Sequence, residues 1–368
     1  MDLRKVKDMV IYSDQQHYSS FPSVICRPDG RLVLAFRRAP ERRTRPGGSV
    51  THSDPNSWLV QVVSDDNGGT WSEQPTPIFI HPRAGNQDPC LAQLADGTLL
   101  CSTFSWELLC ESVGEYELEG VRSGKGGGTG WWMMCLGGSV VSSEDGGESW
   151  SSAVELEPVP SYPEWFAGAP NRPYCRGRMC ELDDGTVLLP AYCTPETGTL
   201  RSAVLYRSAD RGESWQYFSE IASDATVKFG EPTLQMTAGG KLMAFMRTAD
   251  MDGYLAVAHS VDGGKSFSQW ERTEVWGHPF TTATVPDGRI LLAYGYRREP
   301  FGIRCRLLEP ECEDLNEAEE LVIRDDGGGG DLGYPWAVRM ADDRMLVVYY
   351  MSIDDGTRHI AGSVIEVG

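Results

Sequence analysis

One pattern recurs six times along this chain and limits its fold more than any other feature. Each copy contains an apolar or alternating run, a two-residue turn that is usually Asp-Gly, and a second apolar run, a combination that predicts a β-hairpin. The copies are FPSVICRPDGRLVLAF (21–36), DPCLAQLADGTLLCSTF (88–104), RGRMCELDDGTVLLPAY (176–192), EPTLQMTAGGKLMAFMR (231–247), PFTTATVPDGRILLAYGY (279–296) and YPWAVRMADDRMLVVYY (334–350). Their turns recur at intervals of roughly 50 to 90 residues, a spacing typical of the four-stranded blades of a β-propeller.

A second motif, S-x-D-x-G-x-x-W/F, alternates with the first. It occurs as SDDNGGTW (64–71), SEDGGESW (143–150), SADRGESW (208–215) and SVDGGKSF (260–267). Its Ser and Asp side chains can bond the backbone N–H groups of a turn, its Gly permits a positive φ, and its aromatic ring can pack the turn onto a sheet. We therefore interpret the motif as a structural turn between the outer strands of a blade.

Together the two motifs resemble the Asp-box, or bacterial-neuraminidase-repeat, propellers of the sialidase superfamily, over nearly the whole chain. The resemblance implies an all-β fold: one six-bladed β-propeller over residues 1–368, with four-stranded antiparallel blades and four Asp-boxes. We expect a strand near Met9–Tyr12 to complete the last sheet, which would close the ring and remove its free edges. Residues 107–137 are longer than a blade needs and predict a loop insertion.

The net charge and the composition limit which classes of partner and which kinds of site this chain is expected to have. The formal net charge of −20 argues against binding to nucleic acid or to an anionic membrane, and an acidic substrate would need local arginines. The start MDLRKVKDMVIY lacks an apolar core, and the ten cysteines form no CxxC pair. We therefore expect a cytoplasmic protein with reduced thiols, or a secreted one if a leader has been removed. The six histidines show no ligand spacing, so we expect neither a metal nor a cofactor.

The head of each repeat carries residues that are unusual for a packed strand. The inner strands of a propeller line its central channel, so aligning the six repeats aligns six positions at the mouth of the funnel. These positions hold Phe21, Asp88, Arg176, Glu231, Pro279 and Tyr334, and the positions before them hold Ser20, Gln87, Cys175, Gly230, His278 and Gly333. Unpaired charges are rare in cores. The ring therefore predicts either a polar binding pocket or a set of ion pairs that plugs the channel.

Arginines end several of the second strands. Arg37 closes the first repeat in FRR and Arg247 closes the fourth in FMR, while the fifth repeat is followed by Arg297, Arg298 and Arg304. A single arginine at a strand end is usually solvated. Several arginines at one funnel favour recognition of a carboxylate, which a guanidinium binds through two parallel hydrogen bonds.

The resemblance to sialidases implies roles for these residues. That family binds the substrate carboxylate with three arginines, uses a tyrosine nucleophile assisted by a glutamate, and uses an aspartate as acid/base. The matching positions are Tyr334 (nucleophile), Glu231 (its partner), Arg247 (second arginine), Arg297 (third arginine, with Arg298 and Arg304 as competitors) and Asp54 (acid/base). Asp54 would need a raised pKa to protonate the leaving oxygen. Its neighbour His52 could share that role or orient Asp54.

One motif departs from the family. The first arginine of sialidases lies in an Arg-Ile-Pro motif, where this chain has Ser20-Phe21-Pro22. We hypothesise that Arg37 or Arg176 replaces the missing positive charge. The leading prediction is a sialidase-like exo-glycosidase acting on a terminal acidic sugar, either sialic acid or a related ulosonic acid. Two alternatives stay open. One is a uronate-directed glycosidase or lyase using His52 or His278 with Tyr334, and the other is a non-catalytic propeller that binds acidic glycans.

Overall fold

Every regular element in the structure, a computed structural model, is a β-strand. The structure describes residues 2–43, 52–109, 121–123, 132–160, 172–193, 201–249, 251–352 and 356–368. Their strands form six antiparallel sheets, which are the blades of a six-bladed propeller. The all-β, six-bladed, four-stranded prediction is therefore confirmed. Among the described residues no helix is long and apolar enough to cross a membrane.

The first three blades follow one another along the chain. Blade one contains β2 (His17–Cys26), β3 (Leu32–Pro40), β4 (Trp58–Ser64) and β5 (Thr76–Phe79). Blade two contains β6 (Gly85–Gln93), β7 (Leu99–Leu109), β9 (Trp132–Ser143) and β10 (Val154–Glu155), with β8 (Val121–Ser123) paired to β9. Blade three contains β11 (Tyr174–Cys175), β12 (Cys180–Glu181), β13 (Val187–Cys193), β14 (Ser202–Ser208) and β15 (Gln216–Ala222).

The last three blades complete the ring. Blade four contains β16 (Phe229–Met236), β17 (Leu242–Thr248), β18 (Tyr254–Ser260) and β19 (Glu271–Trp276). Blade five contains β20 (Phe280–Thr284), β21 (Ile290–Tyr296), β22 (Gly302–Leu308) and β23 (Glu320–Arg324). Blade six contains β24 (Gly333–Arg339), β25 (Met345–Met351), β26 (His359–Val367) and β1 (Leu3–Tyr12). The first strand of the chain thus pairs with the last, as expected from the sequence.

Apolar cores lie between all six pairs of neighbouring blades. Each combines the facing strands of two sheets, and the one between blades six and one packs Trp336 and Leu346 against Val24 and Leu32. A fully buried aliphatic side chain of this kind contributes about 1.5–3 kcal/mol. Because a core also joins the last blade to the first, the ring closes through packing as well as through the pairing of β1 with β26.

The four S-x-D-x-G-x-x-W/F segments form the turns between the third and fourth strands of blades one to four. In the first of them Ser64 Oγ donates to Asp66 and accepts from the N–H of Gly68, while Thr70 donates to Asp66 through both its N–H and its hydroxyl. The other three segments repeat these bonds, for example from Gly212 N to Ser208 Oγ and from Ser214 N to Asp210. The motif therefore satisfies the polar groups of each turn from within.

Most of the insertion predicted at residues 107–137 lies outside the described residues. Its two ends belong to strands, because β7 runs to Leu109 and pairs with β9 from Trp132 onward. The nine cysteines within the described ranges are free thiols, most of them buried in the sheets.

Candidate active site

Four of the six funnel residues share an unusual backbone. Phe21, Asp88, Glu231 and Tyr334 have positive φ angles of 56°, 43°, 48° and 49°. Each precedes a proline, and the pairing of its strand shifts register at this point. The residue before a proline is kept out of the right-handed helical region, and a β-bulge inserts one residue and redirects its side chain. The residue before the proline at the start of each of these inner strands thus directs its side chain toward the funnel.

Tyr334 and Glu231 meet across the funnel from blades six and four. The Tyr334 hydroxyl donates to Oε1 of Glu231, and Nη1 of Arg247 donates to Oε2 at 2.9 Å. Burial alone would raise the pKa of Glu231, but Arg247 and the tyrosine hydroxyl outweigh it and lower the pKa to about 2. Burial and the Glu231 charge raise the pKa of Tyr334. The resting pair is therefore a neutral phenol bonded to a carboxylate.

The sequence left three arginines of blade five as candidates for the third carboxylate-binding arginine. Arg297 lies against Tyr334, with its guanidinium carbon 5.4 Å from the ring centroid, and its Nε donates to Leu332 O at 3.0 Å. Arg298 is exposed and covers the ring of Trp276, 4.1 Å from its centroid. Arg304 is bonded to main-chain carbonyls of its own blade, among them Pro300 O at 3.3 Å. Arg297 is thus the member of this group beside the Tyr–Glu pair.

Several guanidinium N–H groups at the funnel are buried without a hydrogen-bond partner among the described residues. They are Nη1 and Nη2 of Arg37, Nε of Arg247 and Nη2 of Arg297. Arg37 is fully buried and lies opposite Ser20 in its sheet, as Arg247 lies opposite Gly230. Buried donors of this kind are costly unless paired. Their number indicates that the site is built for an anionic or strongly hydrogen-bond-accepting ligand.

Arg176 is buried among the inner strands of the blades. Its Nη2 donates to the carbonyls of Pro22 and Tyr334 at 3.3 Å each, and its Nη1 to that of Pro89 at 3.5 Å. One guanidinium therefore ties together the inner strands of blades one, two and six. The hydrogen bonds that the structure describes for Arg176 are with the protein itself, and contact with substrate stays a prediction.

Asp54 lies in a different environment from the one its sequence neighbours suggested. Arg42 grips its carboxylate with Nε at 2.6 Å and Nη2 at 3.0 Å, and the N–H of Asn56 donates at 2.9 Å. Burial would raise the pKa of Asp54, but the bonds to Arg42 and Asn56 outweigh it and lower the pKa. The expectation of a raised pKa at this residue is wrong. The general-acid role of Asp54 itself stays a prediction.

His52 belongs to a network centred on Asp331. Its Nε2 is 3.3 Å from Asp331, and its ring stacks on Phe21 with centroids 5.8 Å apart. Asp331 also accepts from Tyr18 at 3.1 Å, Tyr350 at 2.9 Å and Arg358 at 2.9 Å. Burial lowers the pKa of His52. Sequence analysis missed this network, because Asp331 follows a run of four glycines (327–330) and lies outside the motifs described above.

Two further candidates face the same centre. Burial raises the pKa of Asp88 to about 7, although Arg176 opposes the rise. Burial and the neighbouring Arg247 lower the pKa of His278 to about 3, so its imidazole is neutral at physiological pH. The ring of His278 stacks on Trp276 with centroids 5.0 Å apart, and its Nε2 is buried without a partner among the described residues. Among the residues that the structure describes, no three His, Cys, Asp or Glu side chains are grouped so that they could hold a metal ion.

Known proteins resemble this chain in sequence and in fold. A family model described as a BNR repeat-like domain matches residues 122–348. The sialidase of Micromonospora viridifaciens is 26% identical over 256 residues, an alignment that covers 67% of this chain and 35% of that protein. This chain thus spans about a third of the relative's length.

Solved structures extend the likeness to the whole chain. A protein of unknown function from Dyadobacter fermentans superposes with a TM-score of 0.91 at 41% identity, covering 100% of both chains. An α-L-arabinanase from Penicillium chrysogenum shares the fold with a TM-score of 0.68 at 15% identity, covering 98% of each chain. The family match and these neighbours agree with the blades described above. The chain belongs to the BNR repeat-like domain family.

Proposed function

We propose that this protein is a sialidase-like exo-glycosidase that releases a terminal acidic sugar, sialic acid or a related ulosonic acid. The observation that carries the proposal is the hydrogen bond from the Tyr334 hydroxyl to Glu231, in a funnel where Arg247 and Arg297 flank the pair. A phenol bonded to a buried carboxylate is a nucleophile with its base in place. Adjacent arginines are suited to hold a carboxylate on the substrate.

The chemistry would run in two steps. The Tyr334 oxygen attacks the anomeric carbon while its proton passes to Oε1 of Glu231, and the bond to the leaving oxygen breaks as that oxygen takes a proton from an acid. Water then attacks the tyrosine-linked sugar, gives a proton to the same acid group, and releases Tyr334, which recovers its proton from Glu231. A neutral nucleophile suits this substrate, because an anionic one would be repelled by the carboxylate beside the anomeric carbon.

The missing first arginine affects how the carboxylate is held. Ser20 occupies that position, and the adjacent Phe21 packs against His52 and Tyr334. Of the two proposed replacements, Arg37 has free N–H groups, whereas the described bonds of Arg176 are spent on the protein. Arg37 is therefore the better candidate for the third arginine that binds the substrate carboxylate, together with Arg247 and Arg297.

A lyase acting on a uronate remains the second candidate because of one observation. The neutral imidazole of His278 carries an unpartnered Nε2 beside the arginines and could remove a proton next to a carboxylate. The two reactions leave different products. Hydrolysis releases the free sugar, whereas elimination creates an unsaturated uronate that absorbs in the ultraviolet.

The test is a substrate panel. Purified protein is incubated with fluorogenic α-ketosides of acidic sugars and with uronate-containing oligosaccharides, and products are identified by mass spectrometry and by ultraviolet absorbance. Release of the aglycone from an α-ketoside supports the proposal. Ultraviolet-absorbing product from uronates alone supports the lyase, and binding without turnover across the panel supports a non-catalytic propeller.

Arg297→Gln is expected to lower kcat/KM for an acidic α-ketoside by about 10- to 100-fold, because a hydrogen bond to a charged group contributes about 1.5–3 kcal/mol. The matched substrate is the carboxamide analogue, for which the same variant should lose much less. Arg298→Gln is the control, since this exposed neighbour covers Trp276 instead of Tyr334. Equal losses on the acid and the amide would show that Arg297 does not hold the carboxylate.

A further inference from the structure

Asp88 heads the inner strand of blade two as Glu231 and Tyr334 head those of blades four and six. All three adopt the same left-handed backbone before a proline, so alternate blades direct three functional side chains to one point. Asp88 is 4% exposed, close to the 6% of Glu231 and the 8% of Tyr334. Asp88 is also close enough to the nucleophile for its charge to raise the pKa of Tyr334.

The carboxylate of Asp88 is free to act. In the parts of the chain that the structure describes, no side chain lies within hydrogen-bond or ion-pair distance of it, although it is surrounded by charged groups. Asp54, in contrast, is held by both donors of Arg42 and by the N–H of Asn56. An acid must carry a proton and be able to release it to the substrate. A carboxylate bound by a guanidinium is held in its charged form.

Burial favours the protonated form of Asp88 near neutral pH, although most of the surrounding charges oppose it. Arg37, Arg176 and Arg247 favour its ionised form, whereas burial and Glu231 favour the neutral acid. The balance raises the pKa of Asp88 to about 7, close to the value that suits a general acid at physiological pH.

We propose that Asp88, and not Asp54, donates the proton to the leaving oxygen in the proposed glycosidase. This assignment rests on the proposed function. The carboxylic acid proton of Asp88 passes to the glycosidic oxygen as its bond to the anomeric carbon breaks. The resulting carboxylate then takes a proton from the water that hydrolyses the tyrosine-linked sugar. Asp54 is a positioning residue that fixes its loop through Arg42.

The experiment compares two leaving groups in three proteins. Wild type, Asp88→Asn and Asp54→Asn are assayed on an aryl α-ketoside, whose phenolate leaves without help, and on the methyl α-ketoside of the same acidic sugar, whose alkoxide needs a proton. Asp88→Asn is expected to lose about 10²–10⁴-fold on the methyl glycoside and far less on the aryl glycoside. It should also lose the decline of kcat/KM above about pH 7. Asp54→Asn should change both substrates in the same ratio and keep the pH profile.

A thermal readout tests the protonation state without catalysis. A folded-state pKa of about 7 exceeds the ordinary value of 3.8, so the folded protein holds this proton more tightly than the unfolded chain. That contribution to stability is present at low pH and is lost as the pH rises toward 7. The Tm of Asp88→Asn minus the Tm of wild type should therefore increase from pH 5 to pH 8, because asparagine does not ionise and wild type loses stability over this range.

The outcomes separate the two claims. If wild type cleaves neither glycoside, the proposed function fails and the assignment of Asp88 falls with it. If wild type is active but Asp88→Asn loses equally on both glycosides, or if Asp54→Asn shows the leaving-group effect instead, the assignment alone is wrong. A Tm difference that does not change with pH would also contradict a protonated Asp88.

Discussion

Replacing Tyr334 by Phe is expected to lower kcat/KM for an acidic α-ketoside by about 10³-fold or more, because the variant loses the nucleophile of a covalent mechanism. Only one oxygen is removed, and the ring keeps its contacts with Phe21 and Tyr350. The fold should therefore be unaffected. The measurement is steady-state hydrolysis beside calorimetric titration of the free sugar, since Arg247 and Arg297 remain to bind it.

The control is Tyr349→Phe, the same substitution at a buried tyrosine on the neighbouring strand of blade six. The Tyr349 hydroxyl bonds Ser363 at 2.7 Å on the outer side of blade six, so its loss should leave turnover unchanged. Turnover by Tyr334→Phe equal to wild type would rule out the tyrosine mechanism. If wild type and Tyr334→Phe both bind the sugar and neither hydrolyses the α-ketoside, the funnel is a binding site only.

The fold could be predicted because its signals are local. Asp-Gly at four of the six inner hairpins, Gly-Gly at a fifth, and S-x-D-x-G-x-x-W/F at four outer hairpins specify turns within a few residues. The sixth inner hairpin reads Asp342-Asp343, and there Asp343 adopts a φ of 68° where the other hairpins place a glycine. The pairing of Tyr334 with Glu231 was also accessible, since both precede a proline at the head of equivalent strands.

The environments of individual charges could not be predicted in the same way. The bond from Arg42 to Asp54 and the four contacts of Asp331 join loops whose paths the hairpin signals do not specify. A pKa depends on such contacts, and a few ångströms decide whether a carboxylate is gripped by a guanidinium or left free in a buried site. The sequence therefore placed acid residues near the funnel without revealing which one can hold a proton.

Arg176 connects its own blade to the inner strands of three others. Its guanidinium bonds carbonyls of Pro22, Pro89 and Tyr334, and it lies 5.3 Å from the ring centroid of Trp336. A propeller must keep its inner strands together around a channel, where few side chains can reach several blades at once. A guanidinium that is buried from solvent and donates hydrogen bonds to the main chain of three blades is suited to that task.

Arg176→Met is therefore expected to lower the free energy of unfolding by about 3–5 kcal/mol, the range for removing one partner of a buried charged network. The variant removes three hydrogen bonds to main-chain carbonyls and the cation that most lowers the pKa of Asp88, so that pKa should rise further. Denaturant unfolding of the variant and wild type gives the difference. Arg4→Met is the control, because the Arg4 side chain is 71% exposed and its loss should change stability by less than about 0.5 kcal/mol. If Arg176→Met unfolds like wild type but no longer binds an acidic sugar, Arg176 acts on the substrate, as the sequence first suggested, and the inner strands are held together by packing alone.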